Sequence, residues 1–294
     1  MNKFKRIIFI VTLTLILTGC QLNKNVNNNT NQSNGDKQDY IFDQLRIENE
    51  DKIVVPYDKV NEISDYLITR YIKTDKFLKE INSNLIASSS TEEFTDIYYD
   101  TPDLAILANS GGVRYRQRLN LTDPNDKKSG KELMQIKINN VSSDKLSRGE
   151  LKFDIEHLTN KISSDDKHQM IGLVKNSQRE DFKTVLKDLG FEPYSMKPII
   201  NIKDYRQRIY FSYNNEDFVG ISLDQVTAER DGRVGYFAEI EPELNEVAFT
   251  EGDDAKRQLM KEIQDRIVGD LMTKFPYLYQ DLAPKYTKGY NVTK

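Results

Sequence analysis

The sequence predicts an α+β fold in which an antiparallel sheet is flanked by helices. About eight segments have the β-rich, alternating composition of strands, and most of them follow one another directly along the chain. Segments with helical periodicity lie between some of these strands. Consecutive strands favour antiparallel pairing, and the pattern leaves open whether the sheet is open or closed.

The predicted elements follow from local patterns. Strands are predicted at residues 44–55, 94–100, 113–121, 132–140, 149–156, 198–213, 217–227 and 234–243. Helical segments are predicted at residues 57–72, 75–86, 102–110, 165–190 and 252–280. Apolar residues three and four positions apart support the first helix, and Gly111-Gly112 ends the short third one. Asp231-Gly232 is a strong turn signal between the last two strands.

Bulk composition excludes several classes of protein. The chain has 294 residues, of which 30% are charged and 38% hydrophobic, as in soluble globular domains. Its net charge of −4 argues against a general nucleic-acid binder, which usually has a basic surplus. Cys20 is the sole cysteine, so the chain has neither an internal disulfide nor a cysteine metal cluster.

The amino terminus has the pattern of a bacterial export signal. Lys3, Lys5 and Arg6 precede an apolar run at 7–17 that is too short to span a bilayer comfortably. The run ends in Leu17-Thr18-Gly19-Cys20, which resembles a lipobox. We therefore expect a signal peptide at 1–19, acylation (palmitate included) of Cys20, and attachment to the outer face of the membrane. An ordinary signal peptide with a chance cysteine is the alternative.

The segment that follows is polar and has no apolar periodicity. Residues 20–39 are rich in Asn, Gln, Lys and Ser and cannot form a core. We expect a flexible tether there, and one folded domain from 40 to 294.

Several predicted strands carry charges on one face, since residues i, i+2 and i+4 of a strand point to the same side. Arg114, Arg116 and Arg118 share a face, and the last strand pairs Glu239 with Glu241. An amphipathic sheet with its charges in water would explain any one strand. Like charges stacked in this way repel, however, so solubility alone does not require them. A polyanion with a divalent metal needs both arginines or lysines and carboxylates.

The ordered motifs resemble the triphosphate tunnel metalloenzymes, or CYTH superfamily. Residues 48–52 match its ExExK signature, and residues 98–103 followed by 112–116 resemble its next block. Lys137, the segment 148–150 and the final hairpin at 222–241 continue the resemblance in the same order, with a weak match at 285–290. The resemblance implies an eight-stranded antiparallel β-barrel whose lumen is a polar tunnel, with the apolar faces outside under helices.

The resemblance also implies roles for individual residues. The expected ligands of Mg²⁺ or Mn²⁺ are Glu48, Glu50, Glu239 and Glu241. The residues expected to hold phosphate oxygens are Lys52, Arg114, Arg116, Lys137, Arg206 and Arg208. Secondary candidates are Arg118, Arg148, Glu150, Lys203 and Asp224. Lys52 is also a candidate catalytic base, if it is deprotonated in the tunnel.

Three functions stay open at this point. The first is hydrolysis of an inorganic, nucleoside or thiamine triphosphate, which a large set of carboxylates favours. The second is a lipoprotein that binds polyphosphate or phosphorylated ligands without turnover. Adenylate cyclase or polyphosphate polymerase chemistry fits an exported protein less well, because nucleotides are scarce there. A solute-receptor lipoprotein would usually be a two-lobed α/β protein, which this strand order does not suggest. No nucleic-acid partner is expected.

Overall fold

The computed structural model describes the backbone of residues 46–139, 146–156 and 168–294, and the side chains of 51–138, 149–156 and 168–294. The predicted signal peptide, Cys20 and the tether lie outside the described residues. The side chains of Glu48, Glu50 and Arg148 do so too. In the part described, no helix has the length and apolar character needed to span a membrane.

The described part of the chain contains ten strands and eight α-helices, besides short 3-10 segments and a π-helical segment at Ile68–Lys73. The strands are β1 (Arg46–Glu50), β2 (Ile53–Val55), β3 (Leu85–Asp100), β4 (Gly112–Asn120), β5 (Glu132–Asn139), β6 (Leu146–Asp154), β7 (Lys197–Tyr213), β8 (Glu216–Arg230), β9 (Arg233–Leu244) and β10 (Tyr279–Gln280). The helices are α1 (Val60–Leu67), α2 (Lys76–Ile81), α3 (Ala105–Ala108), α4 (Gln169–Leu173), α5 (Arg179–Asp188), α6 (Glu246–Glu251), α7 (Asp254–Lys274) and α8 (Lys285–Val292).

The strands form one antiparallel sheet that curls into a tunnel. Its order is β1-β6-β5-β4-β3-β7-β8-β9-β2-β10. The two ends of the curl meet where Glu50 of β1 pairs with Glu243 of β9, and β2 continues that seam along β9. The predicted antiparallel sheet with flanking helices is therefore confirmed. The predicted first strand is interrupted at residues 51 and 52, and its second part also carries the short strand β10.

Local sequence explains where key elements turn and end. Asp231 and Gly232 both have positive φ, 51° and 75°, as a tight two-residue hairpin turn between β8 and β9 requires. Helix α7 ends at Lys274, earlier than predicted, because Pro276 disfavours helical geometry in the residue before it. Asp253 caps the start of this helix by accepting a hydrogen bond from the Lys256 backbone N–H.

The two larger apolar clusters lie outside the tunnel, between the sheet and the helices. One cluster joins α1, α2 and α7 to β7, β8 and β9, and Ile263, Ile267 and Leu271 give α7 a buried face. A second cluster packs α4 and α5 against β4, β5 and β6. The charged faces therefore point inward and most apolar faces outward. A third, smaller apolar cluster lies on the inward side and includes Ile200 and Ile202 of β7 with Tyr286 of α8.

Helix α8 lies against one part of the tunnel wall and was not predicted. Tyr286 in its first turn stacks on Tyr98 of β3, with ring centres 4.9 Å apart, and donates a hydrogen bond of 2.9 Å to Asp100. The helix approaches β9 so closely that a Cβ on Gly235 would lie 2.3 Å from the Val292 carbonyl oxygen. This close packing holds α8 against the sheet, so that the first residues of the helix reach the lumen.

Candidate triphosphate tunnel

The tunnel contains a cavity of about 340 Å³ lined mainly by charged side chains. Eleven of its described lining residues are basic: Lys52, Arg114, Arg116, Arg118, Lys128, Lys131, Lys137, Lys152, Arg206, Arg208 and Lys285. Only four described lining residues are acidic: Glu92, Glu150, Glu241 and Glu243. A confined space with such a cationic excess attracts polyanions.

Arg114 and Arg116 are held in place by Asp96 of the neighbouring strand. Arg116 donates two hydrogen bonds of 2.7 Å to the Asp96 carboxylate, and Arg114 donates one of 3.0 Å. Burial would raise the pKa of Asp96, but the two guanidinium groups outweigh it and lower that pKa to about 2. Asp96 therefore stays ionised and orients both arginines toward the lumen.

Arg206 and Arg208 lie on β7, on the far side of β3 from the arginines of β4. The side chain of Arg206 makes two hydrogen bonds, of 2.7 and 2.6 Å, to Asp224, and a further one to Glu241. Arg208 donates to Ser222 at 3.1 Å and to Glu243 at 2.5 Å. Both sequence-predicted arginines of β7 therefore line the lumen.

An aromatic ring separates the two arginine groups. The guanidinium carbon of Arg116 lies 4.3 Å from the centre of the Phe94 ring, and that of Arg206 lies 5.3 Å from it. The ring offers each cation a favourable face and carries no charge of its own. Phe94 thus spaces two cations that would otherwise repel each other.

Four buried carboxylates form an acidic cluster beside the arginines. The acidic cluster consists of Asp204, Asp224, Glu239 and Glu241. Lys285 of α8 reaches it: its Nζ lies 2.6 Å from Asp204, 2.5 Å from Asp224, 3.4 Å from Glu239 and 3.9 Å from Glu241. These acids outweigh the effect of burial and raise the pKa of Lys285 well above its usual value. The Lys285 ammonium is therefore firmly charged.

Two further lysines contact the same cluster. Lys52 pairs with Glu241, and its Nζ lies 3.8 Å from Glu239. Lys288 donates a hydrogen bond of 2.9 Å to the other oxygen of Glu239. Burial would raise the pKa of Glu241, but Lys285, Lys52 and Arg206 together hold it well below its usual value. Burial and the neighbouring Asp224 raise the pKa of Asp204 to about 6.

Part of the acidic cluster has the chemistry of a site for a hard divalent cation. Asp224, Glu239 and Glu241 each offer a carboxylate oxygen, and these oxygens lie within 4.8 Å of one another. Glu239 Oε1 is buried and has no hydrogen-bond partner among the described residues. Mg²⁺ and Mn²⁺ prefer carboxylate oxygens, so the donor set fits either ion.

Strand β5, which carries Lys137, also faces the lumen. Lys137 lies 3.6 Å from Glu150, which Lys152 contacts at 2.5 Å. Gln135 donates to Glu150 at 3.1 Å and accepts from Arg114 at 2.8 Å. Burial would raise the pKa of Glu150, but Lys137 and Lys152 lower it to about 2. Glu150 thus orients basic residues.

The remaining predicted residues differ in their placement. Arg118 lines the lumen and contacts Glu92, with Asp126 at 3.6 Å. Lys203 is exposed on the outer face of β7, three positions from Arg206 and therefore of opposite parity. For the others only the backbone register is described: Glu48 lies opposite Arg148, and Glu50 lies opposite Leu146 and Glu243.

Sequence reasoning missed several residues that shape the site. Lys285 lies on a helix, where strand alternation gives no signal, and only the weak terminal match pointed to it. Asp96 and Phe94 belong to a strand whose faces were not assigned. Their two-residue spacing with Tyr98 was the available signal, because alternate residues share a face.

The chain was compared with curated proteins, with solved structures and with family models. No curated protein matches the chain. Among the similar solved structures is bh2851 of Bacillus halodurans, with 15% sequence identity and a TM-score of 0.45 over 83% of this chain and 97% of that chain. Another is HpAC1 of Hippeastrum, described as having a dominant triphosphatase activity, with 14% identity and a TM-score of 0.46 over 83% of this chain and 95% of that chain. A third is the Pct1 RNA triphosphatase of S. pombe, with 10% identity and a TM-score of 0.38 over 87% of this chain and 98% of that chain.

A family model identifies the chain more directly. The model of the CYTH domain matches residues 67–270, which is more than half of the sequence. The matched region runs from the end of α1 into α7 and contains the arginine-bearing strands and the acidic cluster. The chain therefore belongs to the CYTH domain family.

Proposed function

We propose that the tunnel binds a compound with a triphosphate or longer polyphosphate chain, together with Mg²⁺ or Mn²⁺, and hydrolyses a phosphoanhydride bond. One observation carries the proposal: a cavity of about 340 Å³ has eleven basic and four acidic residues among its described lining. Phosphoryl transfer depends mainly on positioning and on charge neutralisation. Fixed cations around a buried cavity supply both.

The individual residues take distinct parts in this proposal. Arg114, Arg116, Arg206 and Arg208 hold phosphate oxygens through planar forks of donors. Asp96 and other carboxylates keep these forks oriented, so little ordering is needed when the ligand binds. A divalent ion on Glu239 and Glu241 would neutralise charge on the phosphate oxygens. Glu48 and Glu50 are proposed to complete its ligands.

Lys52 is proposed to bind phosphate and not to act as the catalytic base. Its ammonium pairs with Glu241 and lies 3.8 Å from Glu239, and adjacent carboxylates favour the charged form of a lysine. A base would have to lose its proton in that environment. Lys137 is proposed to contact phosphate from the opposite wall, with Lys152 beside it.

Phosphate release tests the proposal. The purified protein is incubated with tripolyphosphate, ATP or thiamine triphosphate in the presence of Mg²⁺, Mn²⁺ or EDTA. We expect release with metal, none in EDTA, and a loss of at least about a hundredfold in Glu239→Gln/Glu241→Gln. Release that persists in EDTA, or in the double variant, would exclude metal-dependent hydrolysis at this site.

A non-catalytic binding protein is the second candidate. It is favoured by the pairing of Asp224, Glu239 and Glu241 with basic side chains of the chain itself. Carboxylates paired in this way can position arginines without a metal. Tight tripolyphosphate binding in EDTA, with no phosphate release under any condition, would support this candidate over hydrolysis.

We also propose that the domain acts outside the cytoplasmic membrane, held by a lipid on Cys20. The support is the sequence pattern of a basic segment, an apolar run and Leu17-Thr18-Gly19-Cys20. Mass spectrometry of the protein from its native membrane would detect a lipid-modified amino-terminal Cys20. A mature protein that begins elsewhere would exclude it.

A further inference from the structure

We propose that Lys285 occupies the divalent-cation site of the free protein as an internal counter-ion, so that a metal ion binds there only by displacing it. The inference rests on the proposed function, since it concerns the same carboxylates. It adds a specific competitor to that site, carried by α8.

The position of the Lys285 ammonium is the first argument. Its Nζ lies 2.5 Å from Asp224 Oδ2, 3.4 Å from Glu239 Oε1 and 3.9 Å from Glu241 Oε2. It thus contacts one oxygen of each of the three residues that could hold a metal. A metal bound by the same oxygens at about 2.0 to 2.2 Å would occupy nearly the same space.

Charge balance is the second argument. The four carboxylates of the acidic cluster are contacted by four cations among the described residues: Lys52, Arg206, Lys285 and Lys288. A divalent ion would add two positive charges that these eight described residues do not balance, which a low-dielectric interior disfavours. Removal of one lysine offsets half of that excess.

The surroundings indicate which cation leaves. Arg206 is fixed by two hydrogen bonds to Asp224 and by the Phe94 ring. Lys288 has a second hydrogen bond, of 3.1 Å, to the Asp281 carbonyl. Lys285 lines the cavity and lies at the first position of α8, next to Pro284. Lys52 contacts two of the carboxylates, whereas Lys285 contacts all four and so stands where the metal would bind.

Manganese binding to the full chain tests the inference without measuring activity. Free Mn²⁺ is followed by electron paramagnetic resonance during titration of wild type, Lys285→Met and Lys203→Met. We expect Lys285→Met to bind Mn²⁺ at least about tenfold more tightly than wild type. Lys203→Met, the matched control on the outer face of β7, should bind like wild type. Equal or weaker binding by Lys285→Met overturns the inference.

A second measurement uses the wild-type protein and does not depend on folding of the variant. Lysines are acetylated briefly with and without saturating Mn²⁺, and modification is quantified by mass spectrometry. Lys285, which is only 5% exposed, should be protected without metal and become several-fold more reactive with Mn²⁺. Unchanged protection at saturating Mn²⁺ would show that metal and ammonium coexist, which contradicts displacement.

Failure of the inference can be distinguished from failure of the proposed function. Mn²⁺ binding that is lost in Glu239→Gln/Glu241→Gln, yet unchanged in Lys285→Met, keeps the metal site and removes the competitor. Absence of Mn²⁺ binding in wild type and in Lys285→Met removes the metal site, and the inference with it.

Discussion

At the residue scale, the tunnel is a set of cations whose geometry is fixed by buried acids. Asp96, Asp224 and Glu150 each contact at least two basic side chains. A guanidinium held on two sides needs little reorganisation to bind an anion. The buried acids therefore orient the basic side chains. Because basic residues outnumber acidic ones in the lumen, positive charge remains available to bind the ligand.

Replacement of Arg116 should weaken binding of tripolyphosphate. Hydrogen bonds to charged groups contribute roughly 1.5–3 kcal/mol, so Arg116→Ala should raise the dissociation constant by about ten- to a hundredfold. Isothermal titration calorimetry measures the change. Lys203→Ala removes a basic residue from the outer face of β7 and should leave the affinity unchanged. Equal losses in both variants would mean that general charge, not the lumen, binds the ligand.

Replacement of Asp96 should change how stability depends on pH. A carboxyl whose pKa falls on folding, here from 3.8 to about 2, stabilises the protein above pH 4 and loses that effect as the pH drops toward 2. Two arginines would lose their partner in Asp96→Asn, which should cost about 3–5 kcal/mol at pH 7. The difference from wild type should shrink by about 2 kcal/mol between pH 4 and pH 2.

Urea unfolding at pH 7, 4 and 2 measures both effects. The exposed Asp103 gives a matched control, because Asp103→Asn should change the free energy of unfolding by less than about 0.5 kcal/mol at each pH. A constant difference between Asp96→Asn and wild type across this range would contradict the account of Asp96 as an ionised, arginine-bound group.

At the element scale, the contact between α8 and the sheet decides how Lys285 reaches the acidic cluster. Gly235 of β9 and Gly289 of α8 allow this approach, since a Cβ on Gly289 would lie 2.8 Å from Ile202 Cδ1. The contact at Gly235 involves a backbone oxygen, which cannot move aside without the helix. The two glycines therefore allow α8 to pack closely against the sheet.

Gly235→Ala should destabilise the protein, because the new methyl group must push α8 away from β9. Overpacking of this kind costs about 1–3 kcal/mol, and thermal unfolding followed by circular dichroism should show a lower melting temperature. Gly269→Ala in α7 is the matched control: open space surrounds that position, and alanine favours helix by up to about 1 kcal/mol. A Gly235→Ala protein as stable as wild type would mean that α8 is not closely packed there.

The sequence predicted site residues on regular strands better than those on helices. Alternation put Arg114 and Arg116 on one face of a strand, and the succession of strands predicted an antiparallel sheet. The tunnel, and the choice of that face as its lumen, came from the family resemblance. Lys203 could have been excluded by the same rule, since it is an odd number of positions from Arg206. Lys285 could not be found by alternation, because a helix far along the chain brings it to the acidic cluster. The division of acids between metal and arginines also depends on distances across the curled sheet.

At the scale of the whole molecule, the fold separates two kinds of surface. The apolar faces of the sheet pack under α1, α2, α4, α5 and α7, while the lumen keeps the charges. The chain as a whole carries a net charge of −4, so the attraction for a polyanion is local to the tunnel. A confined cavity with a cationic excess suits the proposed class of ligand.

The most direct test is a crystal structure of the protein with Mn²⁺ and a non-hydrolysable triphosphate analogue. The account predicts anomalous density for Mn²⁺ beside Asp224, Glu239 and Glu241, and phosphate oxygens within hydrogen-bond distance of Arg114, Arg116 and Arg206. An empty tunnel, with the analogue and the metal bound elsewhere, would contradict the central claim that this lumen is the site of triphosphate binding.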